Sequence, residues 1–148
     1  ARPLVRVVFD RRLRTPPEAK LFTTIDRGAV VVVSAAAADA GWDRRARAIE
    51  AAGATLFVAD GSGLAPALTR LTSDFEVQFL LLEGGPTLHA AAAADGLVDA
   101  LHLIVAPRIM GPHGVPWVGW PGLSAAGPGE IEPCGPDVII HRDVYWTD

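Results

Sequence analysis

The hydrophobic and polar positions of this chain follow two different periods in turn, which predicts alternating strands and helices. Short apolar runs, each followed by a polar or Gly/Pro-containing segment, predict strands. These runs are residues 5–9, 30–33, 55–59, 79–82, 100–106 and 138–146. Apolar residues three or four positions apart predict helices over 42–52 and around Leu64, Leu68 and Leu71, and the Ala-rich stretch 88–94 predicts a third. This alternation is typical of an α/β fold with a largely parallel sheet.

A long stretch rich in Gly and Pro, residues 111–136, separates the last two predicted strands. Segments of this length without regular structure are uncommon in compact domains, so we expect it to cover a site or contact a partner. Trp117 and Trp120 within it carry a large apolar area, which favours packing. Low-complexity disorder is the alternative.

Length and composition limit the class of protein. At 148 residues and 50% hydrophobic, the chain predicts a single domain over residues 1–148. No apolar run approaches the roughly 18 residues of a membrane-spanning helix, and no leader-like segment opens the sequence, so we predict a cytoplasmic protein without a membrane partner. Cys134 is the only cysteine, which excludes an internal disulfide. The four histidines lack a ligand-like spacing, so we predict no metal site.

Charge is unevenly distributed along the chain. The net charge of −4 argues against nucleic-acid binding, yet residues 1–20 contain six basic and two acidic side chains. Asp10, Arg11, Arg12 and Arg14 directly follow the first predicted strand. Guanidinium groups in this arrangement favour a local anion site, and a solvated loop is the alternative.

A second candidate site lies between the apolar run 79–82 and the Ala-rich helix. Its residues are Glu83, Gly84, Gly85, Pro86 and Thr87. Adjacent glycines let the main chain approach a ligand closely, and the first N–H groups of a helix carry partial positive charge. Pro86 suits the first helical position and Gly96 the helix end. The pattern predicts a phosphate site, with a plain reversal of the chain as the alternative. Glu83, at the carboxyl end of a predicted strand, is expected to face a cleft.

In this order the elements resemble the reductase domain of the bifunctional riboflavin-biosynthesis deaminase/reductase family, which has a dihydrofolate-reductase-like fold. The resemblance is carried by residues 6–14, by 82–88 with 96–99, and by 104–111. Residues 137–140 resemble the family's last strand, so the similarity spans essentially the whole chain. It implies a mostly parallel central sheet with helices on both faces and an antiparallel C-terminal strand.

The resemblance also implies an activity, a cofactor and a set of site residues. The activity is the NADPH-dependent reduction of the ribosyl group of a phosphorylated ribosylaminopyrimidine to ribityl. Glu83 is implied to orient or polarise the substrate, as the catalytic residue. The residues implied to bind NADPH are Asp10, Arg11, Arg12, Arg14, Ser34, Gly84, Gly85, Pro86 and Thr87. Gly84 and Gly85 are assigned to the diphosphate, the Arg11 to Arg14 segment to the 2′-phosphate, and Ser34 to the adenosine side. A homodimer through the C-terminal strands is also implied.

Two features depart from the family pattern. Arg11 stands where the family usually has a small hydroxyl residue, which bears on the preference for NADPH over NADH. A strand and helix with a Lys-x-x-x-Ser-Leu-Asp-Gly-like motif, at the start of the family's reductase domain, and a later Gly-x-x-Thr segment are not found in this sequence. The alternative function is therefore a non-catalytic nucleotide-binding or assembly domain that retains the fold.

Overall fold

The structure, a computed structural model, describes residues 3–36, 39–115 and 129–144. Its contacts divide the chain into two units, Ala1–Leu80 and Leu81–Asp148. Each unit contains its own three-stranded sheet, and the two are described separately. No helix within the described ranges is long and apolar enough to cross a membrane.

The first unit is built on a parallel sheet. Its strands are β1 (Arg6–Phe9), β2 (Val30–Ala35) and β3 (Thr55–Ala59), in the order β1-β2-β3. Helix α1 (Trp42–Ala51) connects β2 to β3, and helix α2 (Ala65–Phe75) follows β3. A 3₁₀ helix, Phe22–Arg27, precedes β2. The strands and helices predicted for residues 5–75 are thus confirmed, with ends shifted by one or two residues.

Strand β2 is buried because its side chains pack in hydrophobic clusters on both faces of the sheet. Val30 and Val32 pack in one cluster with Ile49 of α1. Val31 and Val33 pack in the other, which includes Phe57 of β3 and Leu71 of α2. Alternate residues of a strand point to opposite faces, so an uninterrupted valine run suits a strand covered on both sides.

The entry into β2 is fixed by Arg6 and Gly28. The guanidinium of Arg6 donates hydrogen bonds to the carbonyl oxygens of Leu21, Thr24 and Gly28 and to the Thr24 hydroxyl, over 2.6–3.3 Å. Gly28 has a φ of +155°, and a Cβ there would overlap the carbonyl oxygen of Leu4. Only glycine accommodates this backbone conformation and this approach.

The second unit combines one helix with an antiparallel sheet. Helix α3 covers Pro86–Ala94, and the strands are β4 (Ala100–Val105), β5 (Glu130–Cys134) and β6 (Asp137–Asp143), in the order β4-β6-β5. A short 3₁₀ helix covers Gly111–His113. Ala93 and Val144 are buried against Val98 and Leu101. The predicted parallel strands and antiparallel C-terminal strand are both present.

The strand predicted over residues 79–82 is not formed. Phe79, Leu80 and Leu81 are exposed, and neither sheet includes them. A run of apolar residues becomes a strand only where neighbouring main chain offers hydrogen-bond partners. Among the described residues neither sheet pairs a strand with this run, so its apolar side chains alone do not make it a strand.

The stretch 111–136 was wrongly predicted to be without regular structure, because it contains β5. Pro133 obscures this strand in the sequence, but β5 lies at the edge of its sheet, where a residue without an N–H is tolerated. Gly135, with a φ of +61°, and Pro136 form the two-residue turn into β6. Trp117 and Trp120, and the end of the strand predicted to reach residue 146, lie outside the described residues.

Candidate functional site

The segment after β1 folds back on the carboxylate of Asp10. That carboxylate accepts hydrogen bonds from the Arg12 N–H at 3.2 Å, the Thr15 N–H at 2.7 Å and the Thr15 hydroxyl at 2.8 Å. We call residues 10–15 the arginine turn. The Asp10 carboxylate therefore stabilises the turn by accepting hydrogen bonds from other residues of the turn. This is a structural role, whereas the resemblance implied that Asp10 binds the cofactor.

Leu13 anchors the arginine turn in the core. Its side chain is only 1% exposed and packs in the cluster of Val30 and Ile49. Its φ of +50° is uncommon for a residue other than glycine, and such a conformation costs on the order of 1 kcal/mol or more. Burial of the leucine offsets this cost. The neighbouring side chains of Arg11, Arg12 and Arg14 are exposed to solvent.

The pKa of the Asp10 carboxyl is lowered. Partial burial raises this pKa, but the side-chain hydroxyl and backbone N–H of Thr15 and the N–H groups of Arg12 and Arg14 together outweigh that effect. The charged form is thus favoured in the folded state. Its contribution to stability is present at neutral pH and is lost as the pH falls below about 4.

Ser34 lies in the interior and contacts the arginine turn. Its side chain is buried, and its hydroxyl lies 3.3 Å from the Arg11 carbonyl oxygen and 3.0 Å from that of Ala35. The indole N–H of Trp42 donates to the same hydroxyl at 3.1 Å. In this setting Ser34 supports Arg11 and Trp42, so a direct contact with adenosine, as predicted, would require these bonds to break.

A cavity of about 290 Å³ lies between the arginine turn and α1. Small-molecule sites usually have volumes of about 300–1,000 Å³, so this cavity is at the lower end of the range. The residues that line it include Leu13, Arg14, Thr15, Pro16, Arg45 and Ala48. Arg14 thus lies beside apolar walls, as suits a planar group that carries a phosphate, whereas the Arg45 guanidinium is already bound by the carboxylate of Asp39.

The second candidate segment lies at the start of α3. We call residues 83–87 the diglycine bend. Gly85 caps the helix, and its carbonyl oxygen accepts the N–H groups of Leu88 at 3.0 Å and His89 at 3.2 Å. Pro86 has no N–H, and the structure gives the Thr87 N–H no partner among the described residues. The first turn of α3 contains no acidic residue. This helix start thus retains its capacity to bind an anion.

The two glycines of the bend differ in their surroundings. A Cβ on Gly84 would lie 2.6 Å from a methyl carbon of Leu88, so the Leu88 side chain would have to move to admit one. Gly85 has a φ of −76° and a ψ of 175°, which any residue adopts, and a Cβ there would meet no described atom within 4 Å. The backbone of the described chain does not require glycine at position 85. As the N-cap of α3 the position favours glycine over alanine, and the open space beside it also leaves room for the close approach of a ligand.

His89 fixes the segment that enters the bend. Its Nε2–H donates a hydrogen bond to the carbonyl oxygen of Leu82 at 3.1 Å, which links the residue before Glu83 to the first turn of α3. Glu83 itself is exposed. No pattern in the sequence distinguishes His89, because its partner is a backbone oxygen.

Two other histidines pair across the antiparallel sheet. Nδ1 of His102 lies 2.8 Å from Nδ1 of His141, and Nε2 of His141 lies 3.4 Å from a carboxylate oxygen of Glu132. They face each other because β4 and β6 place them in register. Spacing along the chain could not reveal this pair. In the described ranges no group of three or more His, Cys, Asp or Glu side chains is arranged to hold a metal ion.

The predicted site residues therefore fall into two groups. Asp10, Arg11, Arg12, Arg14 and Ser34 lie together at the carboxyl ends of β1 and β2 in the first unit. Glu83, Gly84, Gly85, Pro86 and Thr87 lie together at the start of α3 in the second unit.

Comparison with known proteins identifies the family. The family model described as the RibD C-terminal domain matches residues 1–140, which is nearly the whole chain. The chain belongs to this family. The RibD C-terminal domain is the reductase family of the riboflavin pathway, so the resemblance found in the sequence is confirmed.

One curated relative is the riboflavin biosynthesis protein RibD of Aquifex aeolicus (strain VF5). It is 26% identical over 107 residues, which cover 72% of this chain and 28% of the relative.

Solved structures share the fold. A pyrimidine reductase-like protein from Corynebacterium diphtheriae superposes with a TM-score of 0.76 at 22% identity, over 96% of this chain and 61% of that one. RibD of Acinetobacter baumannii superposes with a TM-score of 0.69 at 20% identity, over 95% of this chain and 37% of that one. This member of the RibD C-terminal domain family therefore has the dihydrofolate-reductase-like fold. It spans less than two thirds of the length of each of these three relatives.

The hydrogen bonds of the arginine turn predict a change in the Asp10 carboxyl when Thr15 is replaced. Thr15→Val removes the hydroxyl donor but keeps the backbone N–H, so we expect the pKa of Asp10 to rise toward its ordinary value. An NMR titration of the side-chain carboxyl carbons measures it. Thr23→Val, which removes an exposed hydroxyl bound to the Lys20 carbonyl, is the control and should leave Asp10 unchanged. An unchanged pKa in Thr15→Val would contradict the assigned hydrogen bond.

Proposed function

We propose that this protein is an NADPH-dependent reductase of riboflavin biosynthesis. The proposed reaction reduces the ribosyl group of 5-amino-6-(5-phosphoribosylamino)uracil to ribityl. The observation that carries the proposal is the diglycine bend, where Gly85 stands beside open space at an exposed helix start. Membership of the RibD C-terminal domain family supports the same reaction.

We propose that the diglycine bend binds the diphosphate of NADPH. The N–H of Thr87 and the positive end of α3 supply attraction for an anion, and the Thr87 hydroxyl adds a donor. Gly85 leaves room for phosphate oxygens to reach the main chain, and Pro86 fixes the first helical position. The donors present in the structure thus fit a diphosphate.

We propose that the arginine turn binds the 2′-phosphate that distinguishes NADPH from NADH. Arg11 and Arg14 are exposed and make no side-chain hydrogen bond or ion pair with the described residues. Their guanidinium groups are therefore available, and they suit a phosphate because they donate in a planar fork. Arg12 adds a third positive charge. The internal hydrogen bonds to Asp10 keep these residues in place for binding.

We propose that Glu83 acts on the substrate. It immediately precedes the diglycine bend and is exposed, so its carboxylate can orient or polarise a polar group on the sugar. NADPH supplies the hydride when it is bound, and the chain positions the reacting groups. The link between His89 and Leu82 limits the movement of the main chain that carries Glu83.

The proposed diphosphate site predicts a specific effect of a side chain at position 85. Gly85→Ala should keep the fold, because its backbone angles are ordinary and the space is open, with a loss of stability on the order of 1 kcal/mol or less because alanine is a poorer N-cap than glycine. It should weaken NADPH binding at least tenfold, or about 1.4 kcal/mol, because the methyl group occupies the position of a phosphate oxygen. Isothermal titration calorimetry gives the dissociation constant, and thermal unfolding checks the fold.

Gly114→Ala is the matched control for that experiment. Gly114 also has ordinary angles, φ −62° and ψ 144°, and its Cβ would meet its nearest neighbour at 3.5 Å. This control should bind NADPH as the unaltered chain does. If Gly85→Ala binds NADPH with unchanged affinity, or if the unaltered chain shows no saturable binding, the proposed cofactor site is wrong.

The role proposed for Glu83 predicts that its replacement lowers turnover and leaves NADPH binding nearly unchanged. Glu83→Gln should lower kcat by about 100-fold, because a neutral amide lacks the charge with which the carboxylate orients or polarises the substrate, while the dissociation constant for NADPH changes less than about twofold. NADPH oxidation followed by absorbance measures turnover, with Glu50→Gln on the exposed face of α1 as the control. Equal losses in both quantities would reassign Glu83 to cofactor binding. Binding without turnover in the unaltered chain would favour the non-catalytic alternative.

We propose that two copies associate through the C-terminal strands. The antiparallel sheet exposes Val105, Ile131 and Val138, which its register places on one face, and a partner surface there would remove them from water. Light scattering should give twice the monomer mass at micromolar concentration, and Ile131→Glu should shift the population toward monomer. Arg70→Glu in the first unit is the control. A monomeric mass for the unaltered chain would contradict the dimer.

A further inference from the structure

The side chain of Arg45 connects the loops that follow β1 and β2. Its Nε–H donates to the carbonyl oxygen of Arg12 at 3.0 Å. Its Nη2 donates to both carboxylate oxygens of Asp39, at 2.9 and 2.8 Å. One guanidinium group thus joins the arginine turn to the loop before α1.

Asp39 is itself fixed at the start of α1. Its carboxylate accepts the N–H of Gly41 at 2.9 Å in addition to the Arg45 bonds. The Arg45 side-chain bond, then the Gly41 bond, and the charges of Arg45 and Arg12 lower the pKa of Asp39. The carboxylate is therefore charged at neutral pH and holds the Arg45 guanidinium in a single orientation.

Arg45 extends from a rigid element. Its neighbour in α1, Ala46, is buried, as is Ile49 one turn later, and both pack in the core cluster that contains Leu13. The oxygen that Arg45 binds belongs to the residue immediately before Leu13. A residue in the left-handed conformation persists only where its surroundings hold it. Arg45 thus binds the main chain of the turn at the residue next to Leu13.

We propose that Arg45, held by Asp39, is a positioning residue that keeps the arginine turn in the conformation that binds the 2′-phosphate. This inference rests on the cofactor site proposed above. Arg45 acts through the Arg12 carbonyl, whereas Arg11 and Arg14 contact the phosphate. Three features support these separate roles. Arg45 binds the Arg12 carbonyl oxygen, and its guanidinium is already bound by Asp39. The side chains of Arg11 and Arg14, in contrast, are exposed.

Order in the turn is measured without any cofactor. Hydrogen exchange of the Thr15 N–H, which binds Asp10, reports whether the turn is formed. We expect Arg45→Ala to speed this exchange at least tenfold while the amides of β2 keep their protection, which also shows that the unit is folded. Arg44→Ala, the adjacent exposed arginine of α1, is the matched control and should leave Thr15 unchanged.

The effect of Arg45 on cofactor binding is measured as the preference for NADPH over NADH. Arg45→Ala should weaken NADPH binding about tenfold and NADH binding less than about twofold, because a disordered turn no longer aligns guanidinium donors on the additional phosphate. Arg14→Ala, a direct contact, should show the same preference without faster exchange at Thr15. Arg45→Lys should resemble Arg45→Ala, since an ammonium cannot bind the Arg12 carbonyl and both Asp39 oxygens in the fork geometry.

The variant Asp39→Asn distinguishes two possible roles of Asp39, which either orients Arg45 or competes with phosphate for it. If Asp39 orients Arg45, this variant weakens NADPH binding. If Asp39 instead competes with phosphate for Arg45, the variant strengthens it, and the inference is overturned.

Unchanged exchange at Thr15 in Arg45→Ala overturns the inference, as does full rescue by lysine or an equal effect on NADPH and NADH. Failure of the unaltered chain to bind NADPH overturns the proposed function, and with it the phosphate part of this inference. The exchange measurement still decides, in that case, whether Arg45 holds the turn.

Discussion

Burial of β2 between two hydrophobic clusters is the constraint on which the first candidate segment depends. Because β1 and β2 are parallel and in register, with Phe9 opposite Val33, the residues that follow them emerge at the same edge of the sheet. The Asp10 N–H donates to the Val33 carbonyl oxygen at 2.9 Å, which extends the ladder to the first residue of the arginine turn. The arginine turn therefore begins at main chain that is fixed by the packing of the sheet in the core.

The two candidate segments offer an anion different kinds of attraction. The arginine turn presents exposed guanidinium groups on a main chain fixed by Asp10 and Leu13. The diglycine bend presents partial charges on backbone N–H groups, each weaker than a full charge but already oriented. A charged side chain loses more rotamer freedom when it binds than a backbone donor does, so the first segment suits discrimination by the proposed 2′-phosphate contact. The second suits the close main-chain contact proposed for the diphosphate.

The hydrophobic pattern of the sequence predicted most strands and helices correctly. In these elements the intrinsic preference of the residues matches their burial, as in the valine run of β2 and the apolar faces of α1 and α2. The pattern was misleading where the presence of a neighbouring strand decides whether a segment becomes a strand. The run at 79–82 has no ladder among the described residues, and β5 forms despite Pro133 because an edge strand has one free side. The charged and glycine-rich segments were found by composition. The Leu13 conformation and the Arg45, His89 and His102–His141 contacts were not, since each joins groups that only the fold brings together.

The most direct test of the diphosphate site is the response of individual backbone amides in the ¹⁵N-labelled chain during NADPH titration. We predict that NADPH shifts the amide signals of Gly85 and Thr87 to saturation. We also predict that adenosine 2′-monophosphate, which lacks the diphosphate, shifts only the arginine-turn signals. Saturable binding of NADPH without a shift at Gly85 and Thr87 would contradict the proposed diphosphate site.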